Sequence, residues 1–152
     1  MRHLVAAPLM AAVLAGTGCG GDGDKDAEAV RATIHAAIRT ALVDHDLHRA
    51  CGYATPRGTR ILLHWYRFTY RRSFRSCEQV LRFELQQQQR NVVVPRLRRN
   101  LGVIGPSHVS ATHATAQVTD HTGPYPDYVR VSLRKLSGHW LIDDSSAIPH
   151  GQ

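Results

Sequence analysis

Ten histidines, three cysteines and a long run of arginines are the residues of this 152-residue chain with chemistry to offer. The densest histidine group is Asp44-His45-Asp46-Leu47-His48. His45 and His48 are three apart, a spacing that puts two metal ligands on one face only if a single helix carries both. A helix break between them spoils that arrangement. They read as surface or cap histidines, and His108, His113 and His121 are scattered along later segments. No metal and no cofactor is implied. The arginines begin at Arg67, Arg71, Arg72 and Arg75, interleaved with Phe68, Tyr70 and Phe74. Arg82, Arg90, Arg96, Arg98 and Arg99 follow, against only Glu78 and Glu84. Such a stretch can contact an anionic surface, either phospholipid headgroups or an acidic envelope polymer. The plainer reading is solvated loops and helix faces in an arginine-biased protein. There is no glycine-rich phosphate loop and no catalytic motif, so no catalytic residue is assigned.

The N-terminus bears on location. An apolar run from Leu4 to Ala15 follows Met1-Arg2-His3. It is too short to span a bilayer and has the length of a signal-peptide core. Ala15-Gly16-Thr17-Gly18 then leads into Cys19-Gly20-Gly21. This order resembles a bacterial lipoprotein signal. It departs from that pattern at Gly16, where leucine is usual; the nearest leucine is Leu14. The resemblance implies a signal peptide over residues 1–18, a diacylglycerol on Cys19, and a lipid-anchored place on the outer face of the cell membrane. The alternative is simple secretion. Two acyl chains suffice for a stable anchor. With Cys19 so used, Cys51 and Cys77 remain as an even pair in an oxidising compartment. The expectation is one disulfide closing a loop of about 26 residues, worth roughly 3 kcal/mol.

The chain carries a formal charge of +7, and +6 from Cys19 onward, since residues 1–18 contain Arg2 and no acid. Almost all of it is arginine, because the only lysines are Lys25 and Lys135. Nucleic acid is not an expected partner of an exported protein. Residues 19–26 are rich in glycine and aspartate with nothing to bury, and read as a flexible tether. Residues 27–152 are then a single domain, large enough to enclose a core.

The elements that must position these side chains follow from periodicity. Val30, Ile34, Ala37, Ile38, Ala41 and Leu42 recur at helical spacing and predict an amphipathic helix over about 26–44. Asp46 can cap a short helix over 47–53 that carries Cys51. Thr55-Pro56 is a helix start, with a capping hydroxyl and proline in the first turn, and the helix runs to Tyr66. Residues 67–75 read as a loop. Ser76-Cys77-Glu78-Gln79 is a capping box opening a helix to about Arg90. Strands follow: one from Val103-Ile104, preceded by a piece at Val92–Val94, then 114–119, then 129–133, and, past the Ser137-Gly138 turn, Trp140–Ile142. Short connections imply an antiparallel meander.

Helices first and an antiparallel sheet second is an α+β order. With Ala-Val-Arg-Ala-Thr-Ile at 29–34, Ala-Thr-Pro at 54–56, Ser-Cys-Glu at 76–78 and the closing Val-Arg-Val and Gly-His-Trp-Leu-Ile-Asp segments within 129–143, the chain resembles the NTF2-like (SnoaL-like) superfamily. More closely, it is similar to a set of small actinobacterial lipoproteins of that fold. The resemblance implies a cone, with N-terminal helices packed on a curved antiparallel sheet around a pocket, and it implies the Cys51–Cys77 pairing as well. It does not fix activity. An enzyme of this fold would need a proton acceptor and a donor in the cone, for which Tyr53, His64, Tyr66 and Asp143 are the candidates. The expected role is non-enzymatic binding or accessory work at the cell envelope, with a small apolar ligand or an envelope protein as partner and a homodimer as a candidate assembly. The alternative is an isomerase- or cyclase-like enzyme using the same pocket.

Overall fold

The computed structural model describes residues 21–90, 105–120 and 127–147. The expected signal segment 1–18, Cys19, the Val92–Val94 and Val103-Ile104 strand pieces, His121 and the arginines Arg96, Arg98 and Arg99 lie outside the described residues. Four helices come first: α1 (Gly21–Leu42), α2 (Leu47–Cys51), α3 (Pro56–Tyr70) and α4 (Cys77–Arg90). Four strands follow: β1 (Gly105–Val109), β2 (His113–Asp120), β3 (Asp127–Leu136) and β4 (His139–Ala147). They form one sheet in the order β1-β2-β3-β4, each neighbouring pair antiparallel. The fold is α+β. No helix among the described residues is long and apolar enough to cross a membrane.

Helix α1 begins five residues before the expected start, inside the stretch read as tether. Asp24 and Asp26 fall in its first turns, where the helix dipole favours negative charge. Asp26 is also fastened to the sheet. Its Oδ1 accepts from Lys135 Nζ at 2.6 Å and from Trp140 Nε1 at 3.2 Å. These hydrogen bonds, Lys135 first, hold the Asp26 carboxyl below its ordinary pKa. From that latch α1 crosses the sheet. Val30 and Ile34 pack on Ala114, Ala116, Val131, Leu133 and Trp140 to form the main core.

The caps are those the side chains dictate. Asp46 accepts from Arg49 N–H at 3.0 Å, and the helix break between His45 and His48 lies there, with His45 at φ 54°. Thr55 caps α3 by accepting from Gly58 N–H at 2.9 Å, with Pro56 in the first turn. Ser76 Oγ accepts from Gln79 N–H at 3.3 Å, while Gln79 Oε1 reaches back to Arg75 N–H at 2.8 Å, one residue earlier than a standard capping box. The β3–β4 hairpin closes through Ser137 and Gly138, at φ 49° and 82°. That two-residue turn with both φ positive matches the twist of its strands.

Two later helix boundaries also differ from expectation. α2 ends at Cys51, with Gly52 after it. α3 continues to Tyr70 and ends at Arg71 in the left-handed region, so Arg67 is helical and the expected loop is shorter by four residues. The cause is tertiary. Tyr66 and Tyr70 stack at 5.3 Å and meet Phe83 edge-on at 6.5 and 4.9 Å, and Phe74 closes the group beneath Val80. Packing of a full extra turn outweighs the arginine-rich composition.

Cys51 and Cys77 form a disulfide across 26 residues, joining the end of α2 to the start of α4. Such a bond belongs to compartments outside the reducing cytoplasm. Beside it, His48 Nδ1 and Glu78 Oε1 lie 2.9 Å apart, and this hydrogen bond raises the imidazole pKa. Cys51→Ala and Cys77→Ala should each lower unfolding stability by about 3 kcal/mol, and the double variant by little more than either. Denaturant melts of the three proteins check this; losses that add would mean that the bond does not stabilise the fold as a unit.

Candidate functional site

The sheet's inner face is filled at one end and open at the other. Trp140 and Leu133 occupy the end nearest the β3–β4 hairpin. Toward Val118 and Val129 the facing residues become small. Ala37 and Ala41 of α1, Ala50 of α2, Ala54 and Gly58 replace the larger side chains that would close the space. The result is a cavity of about 370 Å³. Its walls are aliphatic: Ile34, Ile38 and Leu42 from α1, Leu62 from α3, Leu81 and Leu85 from α4, and Val118, Val129, Val131 and Ile142 from the sheet. The only ionisable or hydroxyl side chains in this lining are Glu84, Asp144 and Ser145. Cys77 lines it too, so the disulfide is part of the wall.

Glu84 belongs to the apolar stripe of α4, seven residues beyond Cys77 and beside Leu81 and Leu85. It is held from behind. Tyr66 donates its hydroxyl to Glu84 Oε1 at 2.5 Å, and Tyr70 approaches the same oxygen at 3.4 Å. Burial pushes the Tyr66 phenol well above its ordinary pKa, and the adjacent Glu84 carboxylate adds to the shift. Tyr66 therefore stays protonated and donates at any physiological pH. A fixed carboxylate in an aliphatic wall can accept a hydrogen bond from a ligand or take a proton from one.

The four residues expected to share a pocket do not. Tyr53 lines a separate groove with Thr33, His48, Arg49 and His139. His64 is exposed on the outer side of α3. Tyr66 lies in the aromatic cluster with Phe74, behind the cavity wall. Asp143 is 4 % exposed, but its surroundings are a structural clamp. In the β3–β4 ladder Ser132 pairs with Asp144 and Leu133 with Ile142, leaving Asp143 as the extra residue of a bulge. The bulge aims its carboxylate at the start of α3. Oδ1 accepts from the Thr55 hydroxyl and Oδ2 from Arg57 Nη1, both at 2.6 Å, with Arg134 Nη2 at 3.6 Å from Oδ2. Burial by itself would raise the Asp143 carboxyl. The hydrogen bonds from Thr55 and Arg57 and the charges of Arg134 and Arg57 outweigh it, and the pKa is lowered.

Of the arginines expected to meet an anionic surface, Arg67, Arg71, Arg72 and Arg75 are all exposed. Arg72 holds its guanidinium 5.3 Å from the Phe83 ring and 6.0 Å from Phe74. Among the described residues no group of three or more His, Cys, Asp or Glu side chains is placed to hold a metal ion. The sequence reading missed Glu84 as a pocket residue. Its signal was an acid on the apolar stripe of a helix, in line with Cys77, Leu81 and Leu85. Compared with family models, curated proteins and solved structures, the chain matches none.

The clamp has a pH signature. A lowered carboxylate pKa stabilises the fold above the unfolded value near 3.9, and that contribution is lost as pH falls through the folded value. Asp143→Asn should cost about 2 kcal/mol at neutral pH, because two guanidinium groups lose their buried counter-charge. The difference from the parent chain should shrink as pH drops below about 4. Urea melts across that range test it; a gap that is independent of pH would rule out the charge as its source.

Proposed function

We propose that this chain is an exported, lipid-anchored binding protein of NTF2-like architecture that holds a small apolar ligand in the cavity between its helices and its sheet. The observation that carries the reading is the cavity's composition: aliphatic walls, five small residues that keep it open, and one buttressed carboxylate. Ligand sites of this size are largely apolar with a few placed polar groups. The polar groups of the lining are two carboxylates and a hydroxyl, which favours a ligand with an apolar body and one hydrogen-bond-donating end. The disulfide supports the exported reading. Cys19 as the anchor follows from the resemblance of its flanking residues to a lipoprotein signal. Apolar molecules are poorly soluble in water, so a carrier held at a membrane meets them where they concentrate.

The alternative is an enzyme with acid/base chemistry in the same cavity. One observation favours it: Glu84 faces aliphatic walls with a phenol donor behind it. That reading rests on Glu84 as proton acceptor and no longer on His64 or Asp143. The binder reading is preferred because the lining is almost wholly aliphatic, with Glu84, Asp144 and Ser145 its ionisable or hydroxyl side chains among the described residues.

Native mass spectrometry of the chain expressed in an oxidising compartment tests the proposal. The expected result is a retained small molecule that is released on denaturation. Ala37→Phe should abolish retention by filling the cavity from α1, with stability changed by no more than about 1 kcal/mol because the ring enters existing space. Unchanged retention in Ala37→Phe would place the ligand elsewhere. Catalytic turnover of the recovered molecule that is lost in Glu84→Gln would favour the enzyme.

A further inference from the structure

Helix α3 has two faces. Gly58, Leu62 and Tyr66 point inward, against β4, the cavity and the aromatic cluster. The opposite face carries Arg60, His64, Arg67, Phe68 and Arg71, every one of them exposed. Arg60, His64, Arg67 and Phe68, spaced i, i+4, i+7 and i+8, form one helical stripe, and Arg71 follows at the left-handed end of the helix. Phe68 is 82 % exposed, and Trp65, on the adjacent flank, is 48 % exposed. A single exposed aliphatic residue would be ordinary, but two large exposed aromatics beside exposed arginines on one helix form a patch of mixed character.

The electrostatics of this patch are one-sided. From Leu47 to Cys77 the chain contains seven arginines and no aspartate or glutamate. The ion pairs among the described residues engage Arg31, Arg39, Arg57 and Arg134, but not Arg60, Arg67, Arg71 or Arg72. Arg72 lies over the Phe83 and Phe74 rings, which carries the positive field around the end of the helix.

We propose that this face of α3 and the turn after it dock on an anionic phospholipid bilayer. Phe68 and Trp65 enter the interfacial layer, and Arg60, Arg67, Arg71 and Arg72 bind lipid phosphates. The physical match is specific. Guanidinium groups pair with phosphate oxygens through two parallel hydrogen bonds, and each basic residue near an anionic leaflet is worth about 1 kcal/mol. Aromatic rings flanked by basic residues are the composition of helices that lie in the plane of a bilayer interface. An acidic polymer would satisfy the arginines and leave Phe68 in water, whereas a bilayer satisfies both. The docking is independent of any acyl group and of any cavity ligand, because it uses neither the N-terminal residues nor the inward face of α3.

The test is partition of the full chain in its Cys19→Ala form, which carries no lipid, onto phosphatidylglycerol–phosphatidylcholine vesicles and onto phosphatidylcholine vesicles. The expected result is stronger partition to the anionic vesicles, with a blue shift of Trp65 emission; Trp140 is 4 % exposed and does not respond. Phe68→Ser should weaken that partition about tenfold. The combined Arg67→Gln, Arg71→Gln and Arg72→Gln variant should weaken it about 100-fold. Arg39→Gln, a single charge removed from α1, should leave it within about fivefold of the parent. All these side chains are exposed, and an unchanged thermal melt of each variant shows that the fold is retained. Equal partition to both vesicle types overturns the proposal. So does loss in the arginine variant with no effect of Phe68→Ser and no shift in Trp65 emission, which would assign the arginines to an acidic polymer.

Discussion

The carboxylate of Asp143 holds the helical half of this molecule to its sheet. It is buried where β4 bulges, and it accepts hydrogen bonds from the first residues of α3 while Arg134 of β3 neutralises it from the sheet side. The backbone reinforces this point. Thr55 N–H donates to Ile142 O at 2.8 Å and Ile142 N–H to Tyr53 O at 2.7 Å, so residues 53–55 run beside β4 as a short parallel edge. Gly58 sits so close that a Cβ would lie 2.6 Å from the Ile142 carbonyl oxygen. A side chain at 58 would push α3 away from the sheet. Glycine there, threonine at the cap and aspartate in the bulge are therefore one joint.

The cavity depends on that joint and on two other ties. At the far end of α1, Asp26 is latched to Lys135 and Trp140. On the helical side the disulfide fixes α2 to α4. Between these points α1 and α4 cannot approach the sheet freely, and the small residues Ala37, Ala41, Ala50 and Ala54 do not fill what remains. A cavity among aliphatic side chains loses dispersion contacts and costs stability. Covalent and ionic ties at its margins, the disulfide and the Asp26 and Asp143 contacts, oppose its collapse.

What could be read from the sequence was what local chemistry decides. Asp46, Thr55-Pro56 and Ser76 announce helix starts because each capping hydrogen bond spans only three residues. The alternation of Val129, Val131 and Leu133 announces a strand half-buried on one face. The cysteine pair followed from counting. The features that escaped depend on distant partners. Arg67 to Tyr70 look like loop until Tyr70 is seen to pack on Phe83. Gly21 to Asp26 look like tether until Lys135 and Trp140 are found beside Asp26. Asp143 looks like a chain-end acid until the ladder shows a bulge there, and no local pattern encodes the partner that slips by one. Glu84 was visible as an acid on an apolar stripe, but only the packing of α1 and the sheet shows that the stripe borders a cavity.

The two halves of α3 carry different constraints, and this accounts for its unusual composition. Its first turns must approach β4 closely, so they contain Gly58 and engage Arg57 with Asp143. Its last turns are held by ring packing on one side only, through Tyr66 and Tyr70. The opposite side of those last turns is under no such constraint, because Arg67 and Phe68 are exposed and not part of the core. A phenylalanine left 82 % exposed there is not required by the fold, since any polar residue would serve solubility better. Its presence, framed by arginines that no acid neutralises among the described residues, is what the proposed bilayer docking accounts for. A membrane interface requires that same pairing of ring and guanidinium, and it lies where an apolar ligand for the cavity would be found.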